Sequence, residues 1–215
     1  MDEHVRKTIA TYDVIAPHYR VTAIPELRAW EESSMRLFAR YLQGSRVLVP
    51  GGCDGRDSRY LSSLGLDVWS FDLSDGMLAE VRKLDARGRY VKLDLRDVAS
   101  LGQTFDGVFA SGCLYHLRRG EFATFVHDIY ALLEPGGVFY LNMKIGTGEE
   151  YRAVPGDRYP GGAHARHLLQ GDRYYVYYHR HELAQHFRQY QWLHERDLQH
   201  AEEVVEVWLR KSPEA

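Results

Sequence analysis

The stretch Arg46-Val47-Leu48-Val49-Pro50-Gly51-Gly52-Cys53-Asp54-Gly55-Arg56-Asp57 decides the fold. A short apolar run stops abruptly in a glycine-rich turn. Beyond it Tyr60, Leu61 and Leu64 fall at helical spacing, so the stretch reads as strand, tight loop and helix. Such a loop lets a ligand approach bare backbone, and the helix start offers unpaired N–H groups to an anion. Asp67-Val68-Trp69-Ser70-Phe71-Asp72 reads as a second strand. Asp72 closes it roughly twenty residues after the loop, a spacing that suits an acid accepting hydrogen bonds from a ribose.

Working outward, the same alternation continues. Ser74 is placed to cap a helix with Met77, Leu78, Val81 and Leu84 on one face. Arg89 to Asp94 and Phe105 to Ser111 read as strands three and four, and Glu121 to Leu133 as an amphipathic helix with Phe122, Phe125, Val126 and Ile129 inward. Glu134-Pro135-Gly136-Gly137 is expected to stop that helix and lead into a strand over Val138 to Ile145. On the N-terminal side, residues 3–20 read as a helix with Val5, Ile9, Tyr12 and Ile15 inward, ending near Pro17, and a second helix is expected over Pro25 to Leu42. Residues 146–172 show no clear period and read as a long loop. Arg173 to Tyr178 is a strand-like run, Glu182 to Gln189 a short helix, and Gln191 to Leu198 and Val204 to Arg210 the last two strands.

Alternating strands and helices over 46–145 imply an α/β fold. The expectation is a Rossmann-like, doubly wound, mostly parallel seven-stranded sheet with helices on both faces and an antiparallel edge hairpin. A chain of 215 residues is long enough for one such domain with a real core. The formal net charge is −3 and no long basic run occurs, which argues against nucleic acid as the main partner. There is no leader pattern and no apolar run long enough for a bilayer, so the reading is a cytoplasmic protein. Cys53 and Cys113 make no disulfide framework.

The glycine-rich turn, the acidic strand end and the Pro-Gly-Gly junction together resemble the class I S-adenosylmethionine-dependent methyltransferases, over nearly the whole chain from Tyr12 onward. The resemblance implies S-adenosylmethionine as cofactor, S-adenosylhomocysteine as product, and a small-molecule acceptor bound by a monomer or homodimer. It implies backbone contacts to the donor's amino acid end from Gly51, Gly52, Cys53 and Gly55, and a grip on the ribose by Asp72 with Leu73 beside it. Asp94 and Leu95 are candidates to flank the adenine, with Asp94 equally suited to capping the next turn. Ser111 closes strand four on the same side. Tyr12-Asp13-Val14-Ile15-Ala16-Pro17-His18-Tyr19 is similar to the family's N-terminal lid. Tyr19 is the pick for a cofactor or substrate contact and Tyr12 for core. The chain divides, on this reading, into a helical lid (1–44), a cofactor-binding core (45–145) and an acceptor side (146–215).

Two positions depart from the family pattern. Val49 stands where an acid is usual, and Cys53 where a glycine is usual, so Cys53 is expected to avoid the backbone conformation that only glycine adopts cheaply. Asp54 or Asp57 is the available substitute charge. His116 sits just past strand four, where it suits either a general base near neutral pH or a loop histidine held by hydrogen bonds, and Tyr115 beside it suits either the pocket lining or the core. Lys144, Tyr151, Arg152, His164, His167, Tyr175 and Tyr177 are the liners available for the acceptor, and together would suit a planar or anionic molecule. The pairs His164-x-x-His167 and His179-x-His181 with His186 have no cysteine pair and no His-Glu-x-x-His pattern beside them, so no metal is expected. Two rivals remain: a non-catalytic cofactor-binding protein, and a nicotinamide oxidoreductase. The second is disfavoured because Gly51-Gly52-Cys53-Asp54-Gly55 is too compressed for a dinucleotide fingerprint.

Overall fold

A computed structural model describes residues 1–22, 25–153, 172–199 and 203–212. Helix α1 (Glu3–Ile15) runs into a 3₁₀ segment (Ala16–Thr22), which is followed by α2 (Pro25–Tyr41). The alternating part is β1 (Arg46–Pro50), α3 (Arg56–Ser63), β2 (Asp67–Asp72), α4 (Asp75–Leu84), β3 (Arg89–Lys92), β4 (Phe105–Ala110), α5 (Arg119–Leu132) and β5 (Leu133–Lys144). Then come β6 (Glu149–Ala153), β7 (Asp172–Val176), α6 (Arg180–His186), β8 (Tyr190–Gln199) and β9 (Glu203–Lys211).

Seven strands form one sheet in the order β3-β2-β1-β4-β5-β9-β8. The first five run parallel, while β9 lies antiparallel to both β5 and β8. The expected sheet, its helices and its antiparallel hairpin are therefore present. Side-chain alternation splits the core in two. Val47 and Val49 pack with Met35, Phe38, Leu61 and Phe109 under α2 and α3. Leu48 turns the other way, among Phe105, Val108, Phe122, Phe125 and Ile129 under α5. The order reverses between β1 and β4, and in an open α/β sheet the crevice at such a reversal, outside the strands' carboxyl ends, is where ligands bind.

Several boundaries differ from expectation for local reasons. The first helix ends at Ile15, before Pro17, and continues only as a 3₁₀ segment. Strand β5 starts at Leu133, immediately after α5. Phe105 pairs with Leu133 and Gly107 with Val138, so Glu134 to Gly137 bulge out with Gly136 at φ 79°. The expected loop after 146 contains β6, paired antiparallel with β7 in a separate two-stranded sheet. His164 and His167 lie outside the described residues.

Candidate active site

The glycine-rich loop is shaped first by the protein's own atoms. Gly51 and Gly55 take φ of 60° and 73°. A side chain at Gly51 would meet Cys113 Cβ at 2.5 Å, and one at Gly52 would meet Ser70 Oγ at 2.0 Å. Cys53 also takes a positive φ, 45°, and is the one non-glycine residue among those described to do so. The expectation that Cys53 avoids this region is overturned. Asp72 holds the residue in place, accepting from the Cys53 N–H at 2.9 Å through Oδ2. Its Oδ1 accepts from the Ser74 N–H at 2.9 Å, while the Ser74 hydroxyl caps α4 by accepting from Met77 N–H at 3.0 Å. Burial raises the Asp72 pKa, partly offset by these backbone donors. A carboxylate has about four acceptor sites, so Asp72 retains capacity for ligand hydroxyls.

Beside this loop lies an open cavity at the crevice where open α/β sheets bind their ligands. Gly51, Cys53, Asp72, Leu73, Asp94, Leu95 and His116 line it, joined by Gly112 and Cys113 from the turn after β4. Gly52, Gly55, Ser111, Tyr19 and Tyr115 are not among the residues that line it. Ser111 Oγ instead accepts from Asn142 Nδ2 at 3.2 Å. Tyr19 packs with Cys53 in the small cluster around Tyr12 and Met77. Asp94 both lines the cavity and caps the following turn, accepting from Arg96 N–H at 3.0 Å. Burial acts to raise its pKa, but the Arg96 guanidinium 2.7 Å away wins and lowers it.

A further wall comes from residues earlier in the chain than the Tyr12–Tyr19 lid motif, and of that motif only Tyr12 lines the cavity. Val5, Thr8, Ile9 and Tyr12 of α1 face the cavity. Val5 and Ile9 are only half-buried, whereas His4 and Thr8 pack fully inward. Polar contacts fasten this face: the Thr8 hydroxyl accepts from Tyr174 N–H at 3.1 Å and Thr11 donates to the Asp172 carbonyl at 3.2 Å. Asp13 reaches the start of α4, accepting from Ser74 Oγ at 2.6 Å and Gly76 N–H at 2.9 Å.

His116 has both nitrogens engaged. Nδ1 lies 2.6 Å from the Tyr174 carbonyl, which can only accept, so Nδ1 carries the proton. Nε2, 2.9 Å from the Tyr12 hydroxyl, is then the acceptor. Tyr12 in turn accepts from Arg173 at 3.3 Å. Burial first, with the positive charges of Arg173 and Lys144 adding to it, pushes the His116 pKa down to about 3. Titration near neutral pH, expected for a base, gives way to a fixed neutral imidazole. Beyond it Tyr115 stacks on Tyr175 at 5.3 Å between centroids. Tyr151, Arg152 and Tyr177 belong to the β6–β7 sheet and its rim, where Tyr177 donates to Glu150 at 2.7 Å.

Val49 is buried on the α2–α3 face and does not reach the cavity. Neither candidate substitute lines the cavity: Asp57 accepts from Arg56 Nε at 3.1 Å and Asp54 from Arg56 N–H at 3.3 Å. Among the described residues, the histidine group of the C-terminal half does not converge. His179 and His181 stack on each other, while His186 packs on Phe122. One group of potential ligands does gather, Asp2, His4 and Glu121, but Arg96 bonds both acids and fills it with positive charge.

The sheet order with its crevice defines a class I methyltransferase fold, and the comparisons agree. Residues 48–141 match the family model described as a methyltransferase domain. The malonyl-[acyl-carrier protein] O-methyltransferase of Enterobacter lignolyticus is 33% identical over 129 residues, covering 60% of this chain and 50% of that protein. The chain thus spans about half the length of this curated relative. The CcbJ methyltransferase of Streptomyces caelestis superposes with a TM-score of 0.74 at 18% identity, covering 94% of this chain and 98% of that one. The N-methyltransferase NodS of Bradyrhizobium japonicum, in complex with S-adenosylhomocysteine, gives 0.73 at 14% identity over 95% and 98%. Residues 48–141 thus carry a methyltransferase domain, on a chain with the fold of the class I S-adenosylmethionine-dependent methyltransferases.

Proposed function

We propose that the chain transfers a methyl group from S-adenosylmethionine to a small-molecule acceptor. The observation that carries this reading is the placement of a buried, hydrogen-bond-ready Asp72 beside the bare backbone of Gly51 in one cavity. The residues fit the donor. Gly51 and Cys53 would hold its amino acid end, Asp72 its ribose hydroxyls by charge-assisted hydrogen bonds, and Leu73, Asp94 and Leu95 its adenine. When bound, the donor supplies a methyl carbon on a sulfonium cation. What the protein adds is alignment of the acceptor with that carbon and exclusion of water by the α1 wall. His116 positions Tyr12 at the cavity wall rather than taking a proton. Residues 1–44 act as lid, 45–145 as cofactor-binding core and 146–215 as acceptor side, within a monomer or homodimer.

Calorimetry with S-adenosylhomocysteine tests the reading. Asp72→Ala should weaken binding by tenfold or more, and an unchanged Kd in a folded variant removes the ribose assignment. A second reading, a cofactor-binding protein without turnover, draws on Val49, since no acid occupies the usual place beside the donor's ammonium group. Absence of labelled methyl transfer across acids, phenols, amines and thiols, with tight donor binding, would favour it.

A further inference from the structure

Helix α1 docks on the domain with its polar side. His4, Thr8 and Thr11 are buried and hydrogen-bonded. Val5 and Ile9, one turn apart, are only half-buried. Among the described residues neither joins a packed apolar cluster, and both line the cavity instead. Scattered apolar residues on a helix surface are ordinary, but a buried polar face with the apolar pair left over a cavity is not. The pair gains full burial only when something fills the space in front of it.

Two anchors fix where each residue of the helix lies along that cavity. At the N-terminal end Arg96 donates to Asp2 at 3.0 Å and to Asp94 at 2.7 Å, and His4 meets Glu121 at 3.2 Å. This end therefore sits beside Asp94, which lines the cavity. At the other end Asp13 bonds Ser74 and Gly76, just past Asp72, and Tyr12 packs with Cys53. Val5, Ile9 and Tyr12 stand at i, i+4 and i+7, so they share one face and span about 10 Å of helix. Val5 lies toward Asp94, Tyr12 toward Cys53, and Ile9 between them.

The methyl donor has a matching order. With its amino acid end at Gly51 and Cys53 and its ribose on Asp72, the adenine falls toward Asp94. The ring joins the ribose on one edge and carries its exocyclic amine on the far edge, so the amine points away from Asp72. Leu93 and Leu95, on either side of Asp94 in the chain, line the same end of the cavity. A flat ring with apolar faces and a polar edge suits such a place.

We infer that Val5 and Ile9 are specificity-determining residues for the methyl donor: Ile9 covers the adenine ring, and Val5 closes the space beyond its exocyclic amine. This rests on the methyl-transfer reading above and deepens it by saying which bases the site admits. A purine with a bare amine fits, and one carrying a bulky group on that nitrogen does not.

The test is calorimetry on the full chain with two probes, S-adenosylhomocysteine and the same compound benzylated on its exocyclic amine. The wild type should bind the benzyl compound at least tenfold more weakly. Val5→Ala should bring the two compounds within threefold of each other and leave S-adenosylhomocysteine affinity within threefold of wild type. Ile9→Ala should cost S-adenosylhomocysteine fivefold or more. Neither change touches the polar anchors, and alanine favours helix over valine or isoleucine, so loss of α1 accounts for neither result. The gain of affinity for the benzyl compound in Val5→Ala is also a change that a merely structural role would not produce. Equal binding of both compounds by the wild type overturns the inference. So does undiminished discrimination in Val5→Ala, or wild-type S-adenosylhomocysteine affinity in Ile9→Ala. A protein that binds no S-adenosylhomocysteine overturns the methyl-transfer reading itself, so the two failures are distinct.

Discussion

Cys53 carries strain that a glycine would not. Its φ of 45° is a region where a Cβ clashes with the following carbonyl, at a cost of about 1–2 kcal/mol. The backbone bond to Asp72 holds it there. Cys53→Gly removes that clash but gives the unfolded chain more freedom, worth about 0.4–1 kcal/mol the other way. The expected result is a variant between neutral and about 1 kcal/mol more stable in denaturant titration. A loss exceeding about 1 kcal/mol would mean that packing of the thiol against Tyr12 and Met77 outweighs the backbone. The same residue shows a limit of reading side chains one at a time. From sequence, glycine's absence suggests a changed loop path, yet the loop keeps its path because Asp72 anchors the amide from outside.

At the level of elements, the N-terminal helix decides whether the cavity has a fourth wall. Asp13 ties the end of α1 to the start of α4 through two hydrogen bonds, acting as a borrowed cap. Asp13→Ala should cost about 1 kcal/mol of docking. It should raise hydrogen exchange over residues 8–16 and weaken S-adenosylhomocysteine binding, with exchange in β1 and β4 unchanged. Equal exchange over 8–16 in wild type and variant would show that the Thr8 and Thr11 contacts suffice. Most of the parallel strands were legible because they are short apolar runs ending in a turn, an acid or a glycine, while β3, Arg89–Lys92, is mostly exposed and is marked chiefly by the acid that follows it; the Ser74 cap was legible because its spacing to Met77 is local. The α1 wall was not. Val5 and Ile9 have the spacing of core residues, and only the fold shows that they face a cavity. Strand β6, Glu149–Ala153, is mostly exposed and has no apolar alternation to betray it. The Tyr12, His116 and Arg173 chain joins residues 104 and 161 positions apart, which no local pattern encodes.

Across the whole molecule, the second helix is pinned to the far side of the sheet by a buried acid. Glu206 of β9 is fully buried and accepts from Tyr140 Oη at 2.6 Å, Ser34 Oγ at 2.6 Å, Trp30 Nε1 at 2.9 Å and Arg196 Nε at 2.6 Å. These donors come from α2, β5 and β8, so one carboxylate links four elements. Removing it leaves the Arg196 charge and several donors unpaired. Glu206→Ala should destabilise by roughly 3–5 kcal/mol, measured as a lowered denaturant midpoint. Glu206→Leu or Glu206→Met with Arg196→Met should recover part of that, since an apolar replacement of a buried ion pair is often neutral. A Glu206→Ala change costing less than about 1 kcal/mol would show that the helix is held by Met35 and Phe38 alone.

That clamp has a consequence for the order of events at the ribosome. Trp30 and Ser34 are synthesised 176 and 172 residues before the acid they bind. The strand carrying the acid is also the one that pairs the open edge of β5, and β8 joins the sheet only through it. A nascent chain paused before Glu203 therefore has its parallel strands available to fold, yet holds α2 without its polar anchor and leaves one edge of β5 unpaired. Such a species offers a natural handle for chaperones and proteases until the final hairpin closes.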